Sequence, residues 1–215
     1  MDFDGTIVTE DIAERALSRF AAPGWMRFNG LLAEGKINVD ECVRSEYGMI
    51  TAHSKKEMIA YLRDHYHLRA GFRRFLQDCR FGRLEVAIVS AGLDFCIMDT
   101  FQTFGIDMPR LICPRSRLTR QGTIRLTFPR YRWPGSRDFK EDAVFSYKER
   151  GLRVAYVGDG AATSMPLRRP TESLQSRGPP LRRCAEPKES PTEQSRHSLP
   201  SRGISAFQVP VSKSR

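Results

Sequence analysis

The chain has 215 residues, 40% of them hydrophobic and 28% charged, and a formal net charge of +10 at pH 7. That length suits one full domain with an insertion, and the hydrophobic fraction is enough for a real core. No apolar run reaches the roughly eighteen residues of a membrane-spanning helix, and the acidic N-terminal stretch is unlike a secretion signal, so a soluble, cytoplasmic protein is expected.

Cys42, Cys79, Cys96, Cys113 and Cys184 lack Cys-x-x-Cys spacing, which argues against a zinc site and against a disulfide framework. Most sit among apolar neighbours and are expected to act as small core residues. The charge is uneven: residues 166–215 hold ten Lys or Arg against four Asp or Glu.

The chain opens on Asp2-Phe3-Asp4-Gly5-Thr6. At the end of a strand, the period of two turns Asp2 and Asp4 to the same side. Such a pair can divide the work of phosphoryl transfer, one carboxylate attacking phosphorus and the other handing a proton to the leaving oxygen. Gly5 permits a sharp turn, and Thr6 offers a hydroxyl to fix a carboxylate. The same residues also suit a plain solvated turn, so these five positions alone do not decide between the two readings.

Ile12, Ala13, Ala16, Leu17 and Phe20 recur at helical spacing, with Glu10 and Asp11 expected in the first turn and Pro23-Gly24 as the stop. Trp25, Met26, Phe28, Leu31 and Leu32 form an apolar patch. Asp40 is expected to cap a helix carrying Val43, Tyr47 and Ile50. Ser54 and Glu57 read as a capping box before Met58, Tyr61 and Leu62. Phe72, Phe75, Leu76 and Cys79 mark a further helix.

From Leu84 to Val89 the character changes to a short β-branched run ending at Ser90-Ala91-Gly92, the signature of a buried parallel strand entering a loop and a helix. That helix carries Leu93, Ile97, Phe101 and Phe104 and stops at Gly105. Short strands are expected at Leu111–Ile112 and Ile124–Phe128, separated by a basic, irregular stretch. A helix over Asp138–Arg150 holds Lys140 in its first turn. Val154–Val157 reads as a second buried strand and runs into Gly158-Asp159-Gly160. Functional-looking residues at the ends of alternating strands and helices indicate a doubly wound α/β sheet. Beyond Pro166 the chain is rich in proline, serine and arginine and poor in aromatics, a composition that predicts disorder.

Asp2, Asp4, Ser90, Lys140 and Asp159 together supply a nucleophile, a proton donor, donors for phosphate oxygens and oxygen ligands for Mg²⁺. In this order and spacing they resemble the haloacid-dehalogenase superfamily of phosphohydrolases, in the branch that contains phosphoserine phosphatase. The resemblance implies a Rossmann-like core over residues 1–8 and 70–165, a helical cap over 9–69 and a disordered basic tail over 166–215. It further implies Asp2 as nucleophile, Asp4 as general acid and base, Ser90 and Lys140 as phosphate-stabilising groups, with the N–H groups of Ala91 and Gly92 on the substrate. Mg²⁺ would be held by Asp2, the Asp4 carbonyl and Asp159. Ala22-Pro23-Gly24-Trp25-Met26, Leu68-Arg69-Ala70-Gly71-Phe72 and Ser90-Ala91-Gly92-Leu93-Asp94-Phe95 are similar to the methionine-salvage phosphatases that act on a diketo-methylthiopentyl phosphate.

Two departures stand out. Met1 directly precedes Asp2, where the family has a longer apolar strand, and this sets an ammonium beside the attacking carboxylate. Thr163 stands where the family has an aspartate four residues after Asp159. Truncation at both ends and weakened Mg²⁺ binding are expected from them. The rival reading is a truncated, non-catalytic relative whose basic tail binds acidic partners, and a phosphotransferase would use the same residues.

The expected partner is a small phosphorylated metabolite, with neither membrane nor nucleic acid, and the sequence leaves the oligomeric state open. Glu10, Trp25, Met26 and Phe28 are candidates for the cap side of its pocket. Arg115, Arg117, Arg120, Arg130 and Arg132, around Tyr131 and Trp133, read as a basic loop over or beside the phosphate site. His65 and His67 read as surface residues pointing to different faces. Tyr61, Phe72, Phe75, Phe101 and Phe104 read as core.

Overall fold

The computed structural model describes residues 1–158. Four helices come first: α1 (Ile12–Phe20), α2 (Arg27–Ala33), α3 (Val39–Gly48) and α4 (Lys55–Leu62), the last followed by a 3₁₀ turn at Arg63–His65. Then come α5 (Phe72–Phe81), β1 (Ala87–Val89), α6 (Asp94–Thr103), β2 (Arg110–Ile112), β3 (Arg115–Leu118), β4 (Ile124–Thr127) and α7 (Phe139–Glu149).

Local chemistry fixes the helix starts. Asp11 caps α1 from just outside it, accepting the Glu14 N–H at 2.7 Å, and Ile12, Ala16, Leu17 and Phe20 bury one face. The α3 cap is Asn38 rather than the expected Asp40. Asn38 and Glu41 satisfy each other's backbone N–H groups at 2.9 and 3.0 Å, the reciprocal arrangement of a capping box. Asp40 lies in the first turn and is buried. At α4, Ser54 accepts from Glu57 N at 3.1 Å, but the Glu57 carboxylate takes the His53 N–H instead of closing the box on Ser54.

The parallel unit β1–α6–β2 forms the centre of a Rossmann-like α/β fold, with Ala87, Ile88 and Val89 in register with Arg110, Leu111 and Ile112. On the other flank of β1, the Met1 ammonium donates to Ala87 O at 2.7 Å and the Met1 carbonyl accepts from Val89 N at 2.9 Å. Asp2 N then donates to Val157 O at 2.8 Å. The order across this layer is β2, β1, Met1–Asp2, Val157.

Two strand expectations change. β1 starts at Ala87, because Leu84 is 65% exposed and precedes the pairing. Val154–Val157 is not a ladder strand among the described residues: it is joined through Asp2 to Val157, and Val157 is 38% exposed. Only Met1 and Asp2 run beside it before the chain turns at Phe3, whose carbonyl accepts the N–H groups of Thr6, Ile7 and Val8. The expected disordered tail, Thr163 and Cys184 lie outside the described residues.

The stretch expected to be irregular contains β3, paired antiparallel with β4 from Arg115–Thr127 to Leu118–Ile124. Its alternation is Arg115 out, Ser116 in, Arg117 out, so charge hides the period of two. The tip of this hairpin docks on the α3–α4 connection, where Ala52 N donates to Gly122 O at 2.9 Å. A Cβ on Gly122 would sit 2.8 Å from Ala52 O, and its φ of +80° is in the left-handed region, so only glycine fits.

One apolar cluster joins the helical block to the sheet, including Phe3, Ile7 and Ile88 from the sheet side and Tyr47, Met58 and Leu62 from the helices. Phe72 meets Phe101 edge-on at 6.1 Å, and Phe3 lies 6.4 Å from Phe101. Phe72 and Phe101 are core as expected, whereas Phe75 is 41% exposed. Cys42, Cys79 and Cys96 are buried, and burial pushes the Cys42 thiol up to about 12, which makes it unreactive. Among the described residues no helix is long and apolar enough to cross a membrane.

Candidate active site

The end of the Met1–Asp2 segment, the β1–α6 loop and the first turn of α7 converge. Asp2 and Lys140 are both buried, and Lys140 Nζ lies 2.6 Å from Asp2 Oδ2. The other carboxylate oxygen accepts the Phe3 N–H at 2.8 Å. Lys140 reaches this point because α7 begins sharply at Asp138, whose side chain accepts from Glu141 N at 2.9 Å. The Met1 ammonium, expected beside the Asp2 carboxylate, donates to Ala87 O at 2.7 Å and also feels the Asp2 charge.

Asp4 enters from the turn after Phe3. Its Oδ1 accepts from Ile12 N at 2.9 Å, which ties the turn to the start of α1. Burial, and then the neighbouring carboxylates Asp11 and Asp2, push the Asp4 carboxyl well above the usual range, against hydrogen bonds from Ile12 and Ala13. A carboxyl so shifted holds a proton where an ordinary one has lost it. Asp2 and Asp4 thus differ, one ion-paired to Lys140 and the other with its carboxyl pushed up.

Ser90 is fully buried at the end of β1, its N–H on Ile112 O at 3.1 Å. Its Oγ accepts from Gly92 N at 3.0 Å, so the Gly92 N–H, expected to face substrate, is here engaged by Ser90. Gly92 is where the acids and the loop close in. A Cβ there would lie 2.9 Å from Asp4 Oδ2 and 3.2 Å from Ser90 Oγ, so the absence of a side chain sets the width of the site.

The structure therefore brings Asp2, Asp4, Ser90, Gly92 and Lys140 together, with Ala91 between Ser90 and Gly92. Asp159 lies outside the described residues. The Thr6 hydroxyl, expected to fix a carboxylate, is buried with no hydrogen-bond partner among the described residues. The described donors for a cation are oxygens, the Asp2 carboxylate and the Asp4 carbonyl. They suit a hard ion such as Mg²⁺ in kind, while no group of three or more His, Cys, Asp or Glu side chains able to hold a metal occurs among the described residues.

Three supporting residues carry no such role in the sequence reading. Arg69 holds the motif turn from behind, its Nε on Thr6 O at 2.7 Å and a second nitrogen on Gly5 O. Asp40 reaches from α3 to the start of α7, accepting the Phe139 N–H at 3.2 Å and the Tyr131 hydroxyl. Glu10 gathers Arg15, His65 and His67 at 2.9, 3.2 and 3.0 Å. Both histidines thus turn to one carboxylate, contrary to the expectation of different faces, because His67 lies beyond the 3₁₀ turn. Only chain-distant partners reveal these roles, apart from Arg69, which stands in one of the family-like segments.

Of the cap-side candidates, Trp25 is buried and Met26 is 66% exposed. The basic loop is also placed differently from the expectation: Arg115, Arg130 and Arg132 line a cavity against α7 whose walls include none of Asp2, Asp4, Ser90 and Lys140.

A family model described as haloacid dehalogenase-like hydrolase matches residues 1–162. A 2-hydroxy-3-keto-5-methylthiopentenyl-1-phosphate phosphatase of Geobacillus kaustophilus is 33% identical over 128 residues, 60% of this chain and 57% of that protein. The protein of the same name from Brevibacillus brevis is 27% identical over the same length. The chain thus spans 57% of the length of these relatives. Among solved structures, a phosphoserine phosphohydrolase-like protein from Francisella tularensis is similar in fold, with a TM-score of 0.50 and 20% identity, over 75% of this chain and 77% of that one. With three quarters of its length matched by the family model and its fold shared, this chain belongs to the haloacid dehalogenase-like hydrolases.

Proposed function

We propose that the chain hydrolyses a small-molecule phosphate monoester through an aspartyl-phosphate intermediate, in a Mg²⁺-dependent reaction. The observation that carries this reading is the contrast between two acids two residues apart: Asp2, ion-paired to buried Lys140, and Asp4, whose carboxyl burial pushes up. Asp2 attacks phosphorus, and the ester oxygen leaves with the proton of Asp4. Asp4 then takes a proton from water as that water attacks the acyl phosphate, which releases phosphate and restores Asp2.

Lys140 holds the Asp2 carboxylate in place and offsets charge on the phosphoryl oxygens, and the Ser90 hydroxyl donates to one of those oxygens. Asp2, the Asp4 carbonyl and Asp159 would hold Mg²⁺, which when bound neutralises phosphoryl charge. Residues 9–69 act as a cap over this centre, and residues 1–8 and 70–165 form the catalytic core.

The names of the relatives favour a methylthiopentenyl phosphate as substrate. The test is phosphate release from that compound and from phosphoserine, with and without Mg²⁺. Turnover of the first at least about tenfold faster in kcat/KM supports the assignment, and preference for phosphoserine removes it while leaving the chemistry standing.

A further inference from the structure

A large cavity lies apart from the catalytic centre. It is an open cleft of about 750 Å³ between β2, the loop after β4 and one face of α7. Five arginines line it: Arg110, Arg115, Arg130, Arg132 and Arg150. None of them forms an ion pair with a carboxylate among the described residues. Among the described residues the one acid in the wall is Asp142, and one of its oxygens is engaged, Oδ1 accepting from Arg132 N at 2.9 Å, Trp133 N at 2.7 Å and Ser136 Oγ at 3.4 Å.

The cavity is also ordered in advance. Arg110 and Arg150 stack over the Tyr147 ring at 5.8 and 5.6 Å, from β2 and from the end of α7. Cation–π stacking holds a guanidinium plane without using its N–H donors, which leaves them for a ligand. Phe128 and Tyr131 add aromatic wall. Arginine suits phosphate because its planar fork donates two parallel hydrogen bonds, and five together far exceed what one phosphate group needs. The volume falls within the range of small-molecule sites.

We propose that this cavity is a second, non-catalytic site that binds a polyphosphate chain, either bare or as part of a nucleoside triphosphate. It stands on different residues from the phosphatase reading and does not depend on it. A ligand here touches both the start of the β3–β4 hairpin, at Arg115, and the length of α7, from Phe139 beside Lys140 to Tyr147. Occupancy is therefore expected to alter turnover at the catalytic centre.

The test is calorimetric titration of the full chain with ATP, tripolyphosphate and adenosine, without Mg²⁺, at about 0.15 M salt so that diffuse attraction is screened. Two triple variants carry the same loss of charge: Arg130→Gln/Arg132→Gln/Arg150→Gln in the cavity, and Arg117→Gln/Arg120→Gln/Arg125→Gln on the hairpin outside it. Binding of ATP and tripolyphosphate that weakens at least about tenfold in the cavity variant, and less than about threefold in the other, supports the site. Equal affinity for the two ligands identifies the phosphate chain as the whole determinant, and tighter ATP binding adds the nucleoside. Equal weakening in both variants, or no binding up to about 1 mM, overturns the proposal. Should the cavity triple unfold by circular dichroism, the exposed single changes Arg130→Gln and Arg150→Gln carry the same comparison.

Discussion

Lys140 Nζ and Asp2 Oδ2 meet at 2.6 Å although 138 residues separate them in the chain, and both side chains are buried. A buried pair costs desolvation on both sides, and removing one partner leaves the other charge stranded. Lys140→Met is therefore expected to lower stability by about 3 kcal/mol, and Asp2→Asn added to it should restore part of that loss. Urea melts of the two single variants and the double one check this. Additive losses would mean that the pair is not coupled.

Gly92→Ala tests the width of the site. Its methyl would press on Asp4 Oδ2 and Ser90 Oγ, both ends of side chains that can shift. The fold is expected to tolerate this with a small change in melting temperature, while kcat/KM falls about 100-fold because the reacting groups are displaced. Equal activity with an unchanged melt would show that Asp4 and Ser90 do not act from these positions.

Asp40→Ala removes the acceptor of the Phe139 N–H and of the Tyr131 hydroxyl. Loss of a buried acceptor costs about 1–3 kcal/mol. Since Phe139 precedes Lys140, kcat is expected to fall more than KM rises. Steady-state kinetics at matched folded fraction separate this from simple unfolding.

Glu46 gives a pH signature. Burial, opposed by a hydrogen bond from Cys42 and then helped by the Asp11 charge, pushes its carboxyl from the ordinary 4.5 up to about 7, and its Oε1 has no hydrogen-bond partner among the described residues. The folded state thus binds this proton more tightly than the unfolded one. The stabilising contribution is present below about pH 4.5 and is lost as pH rises through about 7. Glu46→Gln should be more stable than the parent at pH 8, by about 1–3 kcal/mol, and should lose that advantage by pH 5. Parallel melts at the two pH values decide it, and a constant difference would contradict the shift.

The convergence of Asp2, Asp4, Ser90 and Lys140 is legible in the sequence because each sits at a recognisable junction, a strand end or a helix start, where side chains must project into a shared space. The same logic locates α1, α5, α6 and α7 closely. It fails where the partner lies far along the chain. Asp40 has the composition of a cap, and nothing local shows that it serves Phe139 while Asn38 does the capping. β3 is hidden because its outward residues are arginines, and β-propensity reads charge as loop even when alternation is present. By composition the arginine cluster belongs to phosphate recognition at the catalytic centre, yet the fold turns it into a separate cavity, a distinction that depends on the hairpin register and α7 packing.

The central claim is that Asp2 attacks phosphorus with Mg²⁺ bound beside it. The most direct measurement is Mg²⁺-dependent phosphate release by this chain compared with its Asp2→Asn variant, both shown to be folded by circular dichroism. The account predicts release that stops on chelation of the metal and falls at least about 1,000-fold in the variant. Release that is indifferent to Asp2, or none at all from the folded parent chain, would contradict it.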